Sequence, residues 1–302
     1  MDISYENKMN LAFDKPLEYK QLLLYPATLP YYSVFSTAEE CLDVSRIDEK
    51  DVRFLRLPYL EYMYEKSLID EGFKYRWKML ICILNIVLGN DQPFDILRKE
   101  GRLYIKVYQK SDNYELLNKE YTILRTNFLN QYKDKKPTQS EVDNLSNQLS
   151  KIQEKMYNEI MIGSEDFEEI RYLIMEQNDI RPQHYDQKTE TFLYEMKAKL
   201  KQTRGRKDKT DLEDLITAVA YSMNKNPKEM ENMTIRRFNR YLNIVTSKDD
   251  YYMYKQLELS GMIKMKSDLP HWLNHYEPKG KFDDILVDSS NLMSSLSDGD
   301  KI

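Results

Sequence analysis

LYIKVYQKSDNYELLNKEYTILRTNFLNQYKDKKPTQSEVDNLSNQLSKIQEKMYNEIMIG, residues 103–163, decides the fold, because its apolar period changes twice. Leu103, Ile105 and Val107 alternate with Tyr104, Lys106 and Tyr108, the period-two pattern of a half-buried strand, just after Gly101. Tyr114, Leu117, Tyr121, Leu124 and Phe128 then fall at alternating spacings of three and four, as do Val142, Leu145, Leu149, Ile152 and Met156. Each set is one narrow apolar seam on a helix. Thr138 with Glu141 forms a capping box that opens the second helix, and Pro137 discourages the first from continuing. Ile160 and Ile162 end at Gly163 as a return strand able to pair with the first. The expectation is an antiparallel two-helix stalk projecting from a small β ribbon, with Leu117, Tyr121, Leu124, Leu145, Leu149 and Ile152 as its seam. Such a stalk contributes reach and polar surface more than stability.

Outward from this stretch the chain reads as helix. Pro26, Pro30 and Pro58 break residues 15–65 into short helices and turns packed by aromatics, and a core helix runs from Tyr75 to Leu88 and stops at Gly89. Ser164 is placed to cap a helix that buries Phe167, Ile170, Leu173 and Ile174. A helix over 189–202 runs into KAKLKQTRGRKDK. Beyond it, Thr210 with Glu213 reads as a second capping box, Asn226 with Pro227 opens a short helix, and Thr234 caps one with Ile235, Phe238, Leu242 and Val245 inward. Asp249–Leu259 reads as a separate helix. The fold class is therefore mainly α: a helical body with a small β ribbon carrying the stalk. The expected divisions are a Tyr- and Pro-rich helical region (1–102), ribbon and stalk (103–163), connecting helices (164–203), a basic linker (204–209), a C-terminal helical subdomain (210–282) and a flexible tail (283–302).

Composition removes several function classes. Of 302 residues, 45 are basic and 50 acidic, so the net charge of −5 excludes a generally polycationic nucleic-acid coat. Only 8 glycines are present and the closest two stand twelve apart, which excludes phosphate-cradling loops that need several within a few residues. Cys41 and Cys82 are too few for a thiolate metal site or a disulfide framework, which fits a reducing compartment. The N-terminus lacks the basic and apolar regions of a secretory signal, and the apolar run 79–88 is about half the length that spans a bilayer. No membrane contact is expected.

Chemistry-bearing patterns are sparse. His271 and His275 are four apart and would share a helix face, but Trp272 stands where a metal-hydrolase motif carries Glu, so no metal and no cofactor is expected. His184 sits beside Gln183 and Asp186 with no nucleophile elbow, so no catalytic residue is assigned. Binding is the better-supported class: 24 tyrosines supply large, rigid surface with a polar tip. Partner contact is expected at Phe238, Tyr241, Tyr251, Tyr252, Tyr254 and Trp272. The basic run supplies nucleic-acid candidates Lys197, Lys201, Arg204, Arg206 and Lys207, with Arg236, Arg237 and Arg240 extending the patch. No aromatics interleave with the run, and a solvated linker is the simpler reading.

Three phrases carry a resemblance: KPLEYKQLLLYPATLPYYSVFSTAEECL at 15–42, GSEDFEEIRYLIMEQNDI at 163–180 and MTIRRFNRYLNIVTSKDDYYMYKQLELSGMIKMKSDLPHWLNHYE at 233–277. In these the chain resembles tail-assembly chaperones and tail-region proteins of phages of low-GC Gram-positive bacteria. The resemblance implies a non-enzymatic factor of the host cytoplasm, with association with the virion as the other placement, that holds the tape-measure protein or tail-tube components. The alternatives are a nucleic-acid-binding accessory factor of phage replication, transcription or packaging, and a structural virion component.

Overall fold

The structure is a computed structural model that describes residues 3–90, 92–133, 135–203, 211–261 and 271–272, with side chains for all but 200–203. The expected basic linker and flexible tail lie outside the described residues.

The N-terminal part is not wholly helical. After α1 (Tyr5–Ala12), Leu17–Tyr19 and Leu22–Leu24 pair antiparallel as β1 and β2, turning through Lys20 at φ 55°. Strands of three residues leave no period to read, which is why residues 15–65 looked like helices and turns alone. Two buried amides close the ribbon's edges. Asn7 on α1 accepts from the Glu18 N–H at 3.1 Å and donates to the Glu18 carbonyl at 3.0 Å. Gln92 does the same for Leu23, accepting from its N–H at 3.3 Å and donating to its carbonyl at 2.7 Å. Glu18 and Leu23 face each other in the register, so each amide stands in for the neighbouring strand that the ribbon lacks.

Three short helices, α2 (Tyr32–Phe35), α3 (Glu39–Leu42) and α4 (Val52–Leu55), lead into α5 (Tyr59–Ser67) and α6 (Glu71–Leu88). Asp70 caps α6 by accepting from the Phe73 N–H at 3.0 Å, so this helix begins four residues before its apolar run. Gly89 ends it at φ 69°. The main core joins α5, α6 and the later helix α9 (Ser164–Gln177) under the ribbon. Tyr59 and Phe167 stack at its centre with ring centroids 6.5 Å apart, each fully buried side chain worth about 2–3 kcal/mol of transfer free energy.

β3 (Phe94–Lys99), β4 (Arg102–Lys110) and β5 (Tyr157–Ile162) form an antiparallel sheet in that order. Glu100 and Gly101 both have positive φ, the two-residue turn whose twist suits a hairpin. Leu103, Ile105 and Val107 are buried, as their alternation requires. Between β4 and β5 rise α7 (Tyr114–Gln131) and α8 (Gln139–Met156), which pack on each other. Met156 at the base is the single buried residue of the pair. Ser164 is the first residue of α9 and its hydroxyl donates to the buried Glu61 carboxylate; Gly163 holds the cap position expected for Ser164.

α10 (Gln187–Thr203) leads toward the C-terminal lobe, made by α11 (Leu212–Ser222), a 3-10 turn at Pro227–Met230 and α12 (Ile235–Leu259). The capping box of α11 uses Asp211 and Asp214, one residue beyond the Thr210 and Glu213 pairing read from sequence. α12 runs 25 residues without a break, so the two helices expected over 234–259 are one. The lobe has its own small core of Val219, Ala220, Met230 and Phe238, into which the N-terminal part inserts Leu29 and Tyr32.

Candidate partner-contact surfaces

The stalk seam meets across α7 and α8, yet Leu117, Tyr121, Leu124, Leu145, Leu149 and Ile152 are each half-buried. Two helices facing each other cover only one side of each seam residue. Leu116, Ile123 and Leu129 point outward from α7 and are more than half exposed. At the tip, Glu141 accepts from the Thr138 N–H at 2.8 Å and its hydroxyl at 2.7 Å, which completes the predicted capping box. The Tyr132 hydroxyl also donates to this carboxylate and, with Thr138, holds it down at about 2. The tip is thus tied across its loop. The base is tied as well: the Ser111 N–H donates to the Met156 carbonyl at 2.9 Å.

In the C-terminal lobe the expected contact residues separate. Phe238 is fully buried, edge-on to Tyr32 at 6.1 Å, and so belongs to the core; the spacing that made it a candidate is that of a packed face. Tyr241 is half-buried against the same core. Tyr251 packs edge-on to Tyr252 and against His271, which stacks on the half-buried Trp272 at 5.3 Å. Tyr252 is 50% exposed and Leu259 85%, with Met253 and Tyr254 also outward. Tyr252 and Leu259 are seven residues apart and share one face of α12.

The three arginines expected to extend the basic run are engaged within the molecule. Arg236, Arg237 and Arg240 face the body. Arg237 donates from Nε to Asp14 at 2.8 Å and from Nη2 to the Ala12 carbonyl, while Arg236 donates to the Glu176 carbonyl at 3.1 Å. Arg236 and Arg240 place Nε at 3.5 and 3.6 Å from Asp179, whose side chain is only 2% exposed. Burial raises the Asp179 carboxyl while the two guanidiniums oppose that rise. These arginines tie the lobe to Asp14, Asp179 and backbone carbonyls of the body. Lys197 is half-buried on α10, Lys201 lies near its end, and Arg204, Arg206 and Lys207 lie outside the described residues.

One cleft brings together residues that spacing could not relate. His184 Nε2 sits 2.9 Å from Asp43 Oδ2, and the other Asp43 oxygen accepts from Arg171, which also donates to Glu168 and to the Leu42 carbonyl. The Arg171 guanidinium lies 4.1 Å over the Tyr59 ring. Beside it, Arg46 lies 4.2 Å over Tyr62 and donates to the Leu57 carbonyl at 2.7 Å. A carboxylate-oriented imidazole is the arrangement a general base uses. Ser45 lines the same cleft but accepts from the Ile47 N–H in a local turn. The cleft's acids bind the 178–187 segment as well: Glu39 accepts from the Gln183 N–H at 3.0 Å and Asp48 from the Gln187 N–H at 2.7 Å. These contacts fasten that segment to the body.

Among the described residues no group of three or more His, Cys, Asp or Glu is placed to hold a metal ion, and no helix is long and apolar enough to cross a membrane. The geometry defines a mainly α protein with two small antiparallel sheets, a projecting helical hairpin and a docked helical lobe. Residues 203–277, about a quarter of the chain, match the model of a phage-associated family described as the YomV second domain. No curated protein and no solved structure matches the chain.

Proposed function

We propose that this is a non-enzymatic phage protein of the host cytoplasm that acts in tail assembly by binding a helical client such as the tape-measure protein or tail-tube components. The phage-associated likeness of residues 203–277 supports the setting. The observation that carries the binding role is the second half of α12. A 25-residue helix that buries Ile235 and Phe238 in its first turns and then presents Tyr252, Met253, Tyr254 and Leu259 outward is shaped for contact along its length. Anchors at i and i+7 suit packing against another helix, and tyrosine adds apolar area at low entropic cost.

Nucleic acid as the partner draws less support, since Arg236, Arg237 and Arg240 are engaged inside the molecule. The test is co-expression with the tape-measure protein of the same phage genome, comparing the full chain with a Tyr252→Ser, Leu259→Ser variant. The reading expects soluble client with the first and aggregated client with the second. Client that is equally soluble in both sinks it.

A further inference from the structure

The two sheets treat their edges differently. Asn7 and Gln92 satisfy the outward backbone groups of the β1–β2 ribbon at Glu18 and Leu23, and among the described residues no side chain does this for β3, an outer strand of the larger sheet. We propose that β3 pairs antiparallel with β3 of a second copy of this chain, around a two-fold axis at Leu97, joining the two three-stranded sheets into one.

Hydrogen-bond alternation fixes which groups are open. The Tyr108 N–H donates to the Pro93 carbonyl at 2.8 Å, and Lys99 faces Arg102 across the two-residue turn, so the odd-numbered residues of β3 turn their backbone groups to β4. The N–H and carbonyl groups of Phe94, Ile96 and Arg98 point away from the sheet, and among the described residues nothing bonds to them. Arg98 is tied to Glu65 at 3.0 Å by its side chain alone. A row of unpaired backbone groups is a template for another strand.

Symmetry selects the occupant. A two-fold interface puts the same patch on both sides, so the strand must complement itself. Centred on Leu97, the register sets Asp95 opposite Lys99 of the second copy, and Lys99 opposite Asp95 of that copy. Leu97, 38% exposed, meets Leu97 between these pairs on the outer face, while Ile96 and Arg98 exchange their open N–H and carbonyl groups. An axis at Arg98 would set that residue opposite itself, and one at Ile96 would leave Asp95 and Lys99 without opposite charges. β5, the other outer strand, carries Glu159 as its one charge and has no such match to itself.

The surrounding charges agree with this register. Asp95 and Lys99 are exposed, and among the described residues no carboxylate pairs with Lys99, whose neighbour across the turn is the cation Arg102. Asp95 accepts from the Tyr108 hydroxyl at 2.9 Å, and Lys106 opposite it turns to Glu159 at 2.6 Å and lies over the Tyr108 ring. Charged side chains on an edge ordinarily discourage pairing; here they admit a strand of the matching pattern.

Sedimentation equilibrium of the full chain between about 5 and 500 µM should show a monomer–dimer equilibrium. Lys99→Asp, which would face Asp95 across the axis, should weaken it at least about tenfold, and the exchange Asp95→Lys, Lys99→Asp should restore it. Thermal melting verifies that each variant is folded. Leu97→Cys, in a Cys82→Ser background that removes the exposed native thiol, should form an inter-chain disulfide on mild oxidation, because facing residues of a non-hydrogen-bonded pair stand within reach of one. A monomer throughout that range, a dimer indifferent to Lys99→Asp, a folded double exchange that stays monomeric, or a Leu97→Cys chain that does not cross-link overturns the proposal. The outcome is independent of the tape-measure reading, which rests on α12.

Discussion

Asp179 and Arg236 join the body to the C-terminal lobe through a carboxylate and a guanidinium 3.5 Å apart, both largely shielded from water. Asp179 follows the C-cap of α9 at φ 54°, and Asp14, which holds Arg237, follows the C-cap of α1 at φ 56°. A carboxylate just past a helix C-terminus opposes the negative end of the dipole, so each needs a cation to be tolerated there. The first turns of α12 supply three. Beside them, the Leu29 N–H donates to the Met233 carbonyl at 3.0 Å and the Ile235 N–H to the Ala27 carbonyl at 2.9 Å, binding the lobe through backbone as well.

Asp179→Asn leaves Arg236 and Arg240 facing a neutral amide. The expected cost is about 3 kcal/mol, the usual consequence of stranding buried charge. Urea unfolding measures it, and a loss below about 0.5 kcal/mol, the range of ordinary surface changes, would show that the ion pairs contribute nothing.

Gln92→Leu removes the side chain that satisfies both Leu23 backbone groups and donates to the Leu88 carbonyl at 3.0 Å. Leaving such buried groups unpaired costs about 1–3 kcal/mol each, so the variant is expected to melt well below the parent. Hydrogen exchange at Leu23 should accelerate before global unfolding.

Acid loosens the stalk tip. Glu141 titrates at about 2 in the folded chain against an ordinary 4.5, held down first by Tyr132 and then by Thr138. A depressed carboxyl stabilises the fold above its unfolded value, and that contribution is lost as pH falls from 4.5 toward 2. Amide exchange over residues 132–142 should rise through this window, and Glu141→Gln should show fast exchange there at neutral pH.

Phe238→Ala and Tyr252→Ala separate core from surface. The first empties the centre of the lobe and should cost about 3–5 kcal/mol. The second should leave stability within about 0.5 kcal/mol and act on client binding alone. If Phe238→Ala were silent in unfolding, its place in the core would be wrong.

Local signals in the sequence carried the stalk. The seams at Tyr114–Phe128 and Val142–Met156, the Thr138 and Glu141 capping box and the alternation at 103–107 all involve residues a few positions apart, and each element formed where its pattern lay. Relationships over long separations left no such trace. Asn7 and Gln92 complete a ribbon whose strands are too short to show a period, and His184 meets Asp43 across 141 positions. Arg236, Arg237 and Arg240 read as a basic patch because sequence shows their charge and not the acids at the ends of α1 and α9. A buried Phe238 and an outward Tyr252 share one helix, where periodicity marks faces without saying which of them a neighbour covers.

The proposed binding role places another macromolecule against the outward side chains of α12. Its most direct test is the yield of soluble tape-measure protein on co-expression with the full chain and with the Tyr252→Ser, Leu259→Ser variant, whose own folding is checked by thermal melting. Soluble client bound to the parent chain is expected, and little with a variant that melts as the parent does. Full recovery of soluble client with that folded variant would contradict it.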